Sequence, residues 1–391
     1  MDVFARQSKE ADVLKLPFLN LLKNRCVAAW LSILTGVWAA TIPAVTLAAQ
    51  PVATPPYSVG TFATAPKGLK APDSITFSST NVFVGYGNGG APDGSGGAMS
   101  NVIEYDFSGN IVNNFTIVGH NDGLRFNPGG NELWAVQNED GNANLSIIKL
   151  SNGKQKIYQL GTGPHGGGYD DIDFNNGQVY LSASAPTINP NTAPAIVSLK
   201  LQGKKTILTG ILNGDASATD VSTGEIETLI LQDPDSMIVD PNGELVMTSQ
   251  GDGELIIVQH PGRGCQNAFV VPLTSEAGGP TIGNTQLDDT IFTTQSAGEL
   301  LVADKDLNAI YAITAPYLGP AEYSAVSVFA TPSAPSPFES FVGQTNLTTG
   351  FVTPIVNGMS NPGGMAFIPS GPNLSDFIKA SVKISDSCPG S

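Results

Sequence analysis

Positive charge, histidine and cysteine are all scarce in this chain. Across 391 residues there are 18 Lys and Arg against 34 Asp and Glu, and only three each of His, Cys and Trp. Residues 1–50 hold five of the basic residues and three of the acidic ones, so the remainder carries 13 against 31, a net charge near −18. No basic run in that remainder is longer than "GKK" at 203–205. Recognition of a phosphate backbone depends on clustered Lys and Arg, so nucleic acid is not the expected partner. No G-x-S-x-G elbow occurs, and "GTGPHG" lacks the Lys-Ser/Thr ending of a phosphate loop. An acidic balance serves solubility and is compatible with bound cations. Cys26 has no lipobox around it, which leaves Cys265 and Cys388 either to form one disulfide or to remain free thiols.

What the chain has in quantity is glycine and proline, 44 and 28 residues, together with 41% hydrophobic residues. That hydrophobic content is too high for a disordered chain, and the glycines follow no collagen period, so they punctuate many short strands. The expected class is all-β. From Cys26 to Ala49 there is no charged side chain. Scattered charges ending in "KNRC" precede this stretch and small residues at "TLAAQ" close it, the pattern of a secretory signal cut near Ala48 to Gln50. An uncleaved anchor is the alternative, since the stretch is long enough to span a bilayer. The expected organisation is a signal or anchor over 1–50, a body over 51–370 and a C-terminal tail over 371–391, in a protein that is secreted or otherwise outside the cytoplasm.

A repeat organises the body. "PDSITF" at 72, "NDGLRF" at 121, "DDIDF" at 170, "PDSMIV" at 234 and "DDTIF" at 288 are each followed by a turn and a second strand, as in "NVFVGYG", "NELWAVQ" and "GELLVAD". A sixth start, "PGGMAFI" at 362, lacks the acid. Aligned on Asp73, Asp122, Asp171, Asp235 and Asp289, the units are spaced by 49, 49, 64 and 54 residues, in the range of a four-stranded propeller blade with insertions. Short turns such as "SG" and "SNG" mark further hairpins. Six strand starts predict a six-bladed β-propeller of four-stranded antiparallel blades, closed by 57–64 as the outer strand beside "PGGMAFI". A two-sheet sandwich explains the alternation of strands but not this unit.

In such blades the entry to strand one and the exit from strand two share a face, and the long connections 87–100, 138–143, 184–194 and 213–227 all fall there. That face is the expected ligand face. The recurring aspartates read as turn residues accepting backbone N–H groups. Their neighbours Asn121, Asp170, Asp233 and Asp288 then face the axis as an oxygen-rich set suited to Ca²⁺ or another divalent metal. His120 and His165, at matching places before their strands, are the candidate proton carriers. The units resemble those of exported six-bladed propellers of the NHL and SMP-30/gluconolactonase-like type, over roughly residues 57 to 370. That resemblance implies a divalent-metal site rich in acid and asparagine in the central channel, opened by a Glu in the first inner strand, where this chain has Asp73 and Ser74. The expected function is a binding or interaction propeller for a small-molecule or protein ligand, with a metal-dependent lactone or ester hydrolase as the alternative. Membrane contact is expected only if the N-terminal segment is uncleaved. A quinone-dependent oxidoreductase ranks third, with Trp134 alone left to stack a flat cofactor.

Overall fold

Runs of β-branched and aromatic residues bounded by Gly, Asn and Pro favour short strands, and strands buried on both faces need a sheet packed on either side. The computed structural model, which describes residues 50–277, 284–327, 340–371 and 388, arranges these runs as six blades of four antiparallel strands. All of the expected signal or anchor but Gln50, and all of the tail but Gly371 and Cys388, lie outside the described residues. Blade 1 comprises Pro72–Phe77, Asn81–Tyr86, Met99–Asp106 and Ile111–Val118, blade 2 Asn121–Asn127, Glu132–Gln137, Asn144–Lys149 and Gln155–Gln159, and blade 3 Ile172–Asn175, Gln178–Ser182, Pro194–Gln202 and Lys205–Asn213. Inner strands are largely buried, whereas an outermost strand such as Ile111–Val118 buries only alternate residues near its end. Apolar clusters fill the spaces between blades. Between blades 2 and 3, Trp134, Val136 and Leu145 meet Ile172, Leu181 and Val197, and the Trp134 ring stands edge-on to Phe174 at 5.3 Å.

Blades 5 and 6 depart from the expected order. The inner strand of blade 5, Leu287–Thr293, does not pair with the next strand, Gly298–Asp304; it pairs with Ala321–Val326, followed outward by Ser340–Asn346 and Phe351–Met359. Gly298–Asp304 instead joins blade 6, between the inner strand Pro362–Pro369 and Ala309–Thr314. The chain therefore builds the middle of blade 6 before finishing blade 5. Asp304 fixes this choice, because its carboxylate accepts the Ser360 N–H at 2.7 Å and the Asn361 N–H at 3.2 Å, tying strand two of blade 6 to the turn that starts strand one. Ser58–Thr64 closes the ring as the outer strand of blade 6, as expected.

Blade 4, Pro234–Val239, Leu245–Ser249, Glu254–Gln259 and Asn267–Pro272, carries another difference. The insert at 213–227 is not a loop over the ligand face along its length. Ser217–Asp220 and Ile226–Thr228 form a hairpin, and Ser217–Asp220 extends the blade by pairing parallel to Asn267–Pro272. Cys265 and Cys388 are joined in a disulfide, which ties the chain's end to blade 4.

Glu322, on the second strand of blade 5, is buried in a hydroxyl network. Its Oε1 accepts the Thr290 hydroxyl at 2.8 Å, while Oε2 is buried with no partner among the described residues. Burial pushes the carboxyl up to about 8, against the Thr290 hydrogen bond that opposes it. A folded-state value above the unfolded one means that the native state holds a proton the unfolded chain releases, so this contribution to stability is present at acid pH and is lost as pH rises toward 8. Replacing Glu322 by Gln should leave stability near pH 4 unchanged and raise it by roughly 2–4 kcal/mol above pH 8. Chemical denaturation of both proteins across pH is the check; parallel pH profiles would contradict it.

Candidate functional site in the channel mouth

Symmetry multiplies whatever stands at one position of the inner strand. Asp171 Oδ1 accepts the Ile172 N–H at 2.7 Å and Oδ2 the Met237 N–H of the next blade at 3.0 Å. Asp289 repeats this with Thr290 and Met365, both at 2.7 Å. These two aspartates are thus the backbone acceptors expected of the recurring class. It follows that the doublets align one residue earlier than the sequence reading placed them, so Asp73, Asp122, Asp170, Asp235 and Asp288 are the equivalent residues, with Gly363 in the sixth blade. All five carboxylates line one cavity of about 330 Å³ at the strand-entry end of the channel.

Lysine 305 fills the sixth place. A Cβ built on Gly363 would lie 2.7 Å from Lys305 Cε and 2.8 Å from Asp73 Oδ1, so a side chain there would push the lysine from its place between the carboxylates. The Lys305 ammonium sits 3.1 Å from Asp73 and 3.0 Å from Asp288, and Gln250 Nε2 also donates to Asp288, at 3.2 Å. Burial alone would lower the lysine's pKa, but Asp288, Asp73 and Asp235 hold it well above its ordinary value. Burial raises Asp288 and Lys305 opposes that rise, leaving the carboxyl at about 6. Below the ring, Arg125 closes the floor. Its guanidinium donates to Asp171 at 2.9 Å and to the carbonyls of Ile172 and Met237, both at 2.9 Å, so it reaches from blade 2 to blade 4.

The other side of the mouth is acidic and partly unpartnered. His120 Nε2 lies 3.1 Å from Asp122 Oδ1, and donor atoms of His120, Asp122 and Glu139 all fall within 4.8 Å of one another. Asp122 is only 6% exposed, and its Oδ2 is buried without a partner among the described residues. Burial pulls the His120 imidazole down, but Asp122, Glu139 and Asp73 outweigh it and carry the group up to about 9. Burial together with the charges of Asp235, Glu139 and Asp122 pushes Asp170 well above the carboxylate range, and burial together with the charge of Asp288 does the same to Asp235. His120 is held at this mouth by a reciprocal pair: its N–H donates to Asn138 Oδ1 at 2.9 Å, and the Asn138 N–H donates to the His120 carbonyl at 2.8 Å.

Of the residues expected at the site, His120, Asp170, Asp233 and Asp288 line the cavity. Asp233 stands at its edge with the Gly251 N–H 2.9 Å from its carboxylate. Asn121 does not line it. Its side chain is fully buried against Gly85 and donates to the carbonyls of Gly123 and Val136, because strand alternation that brings Asp122 to the axis turns Asn121 away. His165 is also outside the cavity, buried with Nε2 2.7 Å from the Gly168 carbonyl and its ring edge-on to Tyr169 at 5.3 Å. The segment "GPHGGGYDD" is a brace. Gly168 N–H and Ser184 Oγ donate to the Glu139 carbonyl at 2.8 and 2.7 Å, and a side chain on Gly168 would collide with the carbonyls of Asn138 and Glu139. Glu139, Lys305 and Arg125 were not foreseen. Lys305 was discernible only as a lone base in the acid-rich "VADKDLN".

No family model matches the sequence, and no curated protein is similar to it. Several solved structures are similar in arrangement. A Bacteroides caccae protein of unknown function shares 10% identity, covering 78% of this chain and 89% of its own, with a TM-score of 0.44. A candidate gluconolactonase shares 11% over 82% and 91%, at 0.41. A catalytically inactive virginiamycin B lyase from Staphylococcus aureus shares 11% over 66% and 99%, at 0.34. Similarity at this level carries no argument about activity, and the six-bladed fold stands on the strand pairing itself.

The lysine makes a direct prediction. Replacing Lys305 by Met should leave Asp73 and Asp288 facing each other without a cation and destabilise the protein by about 2–4 kcal/mol near neutral pH, with much of the loss recovered near pH 4, where Asp288 is protonated. Thermal or urea unfolding at both pH values measures this; an equal loss at the two would contradict it.

Proposed function

We propose that this chain is an exported propeller that binds a small polar ligand at its channel mouth with the help of a divalent cation held by His120, Asp122 and Glu139. The observation that carries this reading is the convergence of one imidazole and two carboxylates within 4.8 Å, beside a buried carboxylate oxygen, Asp122 Oδ2, that has no partner among the described residues. A buried carboxylate in that condition is costly unless a proton or a cation neutralises it. The donor set fits such a cation. Its imidazole moves the preference toward Mn²⁺ or Zn²⁺, compared with the oxygen-only set that favours Ca²⁺. When bound, the cation would polarise an oxygen of the ligand. The chain's own groups do the rest: Asn138 and the Gly168 brace orient His120 and Glu139, Lys305 offers a cation to an anionic part of the ligand, and Arg125 seals the floor against through-flow.

Binding is favoured over hydrolysis because the second expected proton carrier, His165, is packed away from the cavity. Export is supported by the uncharged stretch from Cys26 to Ala49 and by the disulfide, since such bonds persist in oxidising compartments. The acidic mouth also disfavours nucleic acid as a partner. Calorimetry and thermal melts with MnCl₂, ZnCl₂ and CaCl₂ test the reading. At about 100 times Kd the parent should gain roughly 2.7 kcal/mol, and Asp122→Asn or Glu139→Gln should weaken binding at least about tenfold. No response in the parent, or an unchanged response in both variants, would refute the site. Turnover of a lactone and ester panel that chelation abolishes would replace binding by the hydrolase reading.

A further inference from the structure

The scarce positive charge is not spread evenly. From Gly141 to Tyr169 and again from Phe174 to Gly214 there is no Asp or Glu, yet these two stretches hold six of the 13 basic residues beyond position 50: Lys149, Lys154, Lys156, Lys200, Lys204 and Lys205. All six are exposed. Among the described residues only Lys149 has a carboxylate partner, Glu132 at 4.0 Å. Lys156, Lys204 and Lys205 line one open groove of about 510 Å³ between Gln155–Gln159 of blade 2 and Lys205–Asn213 of blade 3. The groove is braced across its width, with Lys156 Nζ donating to the Gly203 carbonyl at 3.4 Å and Thr206 Oγ1 to the Gln159 carbonyl at 3.0 Å. Exposed Ile157 and Ile207, at 47% and 42%, add apolar surface on the same two outer strands. The turns between strands three and four place Lys154, Lys204 and Lys205 toward the face opposite the acidic mouth.

We propose that this groove binds a linear anionic polysaccharide, a chain of uronate or sulfated sugars. A narrow chain can lie within the acid-free sector, whereas a flat anionic membrane would also face the acidic remainder of the protein within a screening length of about 8–10 Å. Nucleic acid carries its charge more densely, and recognising its phosphates favours arginine forks. Lysines alone, on two outer strands and the turns that lead into them, with isoleucines beside them, suit sparser charge and the apolar faces of sugar rings.

The test is fluorescence anisotropy with a labelled oligogalacturonate on the full secreted chain. The parent should bind at about 50 mM salt and lose on the order of tenfold in affinity by about 200 mM. Exchanging Lys156, Lys204 and Lys205 together for Glu should abolish binding while the thermal midpoint stays within a few degrees, because all three side chains are exposed. Lys67→Glu, at an exposed lysine in the connection between Ser58–Thr64 and Pro72–Phe77, should change nothing. No binding by the parent at about 50 mM salt, or unchanged binding by the triple variant, would overturn the proposal. Tighter binding to phosphatidylglycerol vesicles or to duplex DNA than to the sugar chain would overturn the ligand class.

Discussion

Five carboxylates delivered to one level of a narrow channel repel one another, and the arrangement of the mouth follows from how that repulsion is offset. In a propeller each blade presents the same inner-strand position to the axis, so a residue at that position is repeated around it. Here the repeat places Asp73, Asp122, Asp170, Asp235 and Asp288 together. Water is largely excluded from three of them, Asp122, Asp170 and Asp288, and charges that are modest at a surface become expensive there. Three devices answer this cost. Lys305 neutralises the Asp73–Asp288 side, Arg125 neutralises the layer below, and the His120 imidazolium together with protons on the buried carboxyls offsets the side of Asp122, Glu139 and Asp170.

The first device depends on topology. Lys305 follows directly on Gly298–Asp304, and that strand stands beside Pro362–Pro369 only because blades 5 and 6 exchange their order of assembly. Asp304 holds the exchange in place through the Ser360 and Asn361 amides, and Gly363 leaves the space the lysine occupies. One half of the mouth is therefore balanced within the chain itself. The other half has the His120 imidazolium beside Asp122, while the second Asp122 oxygen has no partner among the described residues.

Much of the architecture was legible because strand periodicity and turn chemistry are local. The six units and the ring closure by Ser58–Thr64 follow from spacing and turn chemistry. The site was legible only in part. Asn121 and Asp122 are adjacent, and nothing local says which of the two points to the axis; in the doublets at 170 and 288, the same ambiguity shifted the alignment by one residue. The partner of "DDTIF" was misassigned because strands that are close in sequence need not pair, and the deciding contact, Asp304 with the Ser360 and Asn361 amides, spans 56 and 57 residues. Glu139 and Lys305 escaped notice for a similar reason. Each becomes significant only through neighbours brought in from other blades.

The central claim is that the mouth is a preformed cation site on one side only. The most direct measurement is anomalous X-ray scattering from crystals soaked in MnCl₂. The account predicts a single strong peak within coordination distance of His120, Asp122 and Glu139, and none beside Lys305. A peak between Asp73 and Asp288, or no peak in the channel, would contradict it.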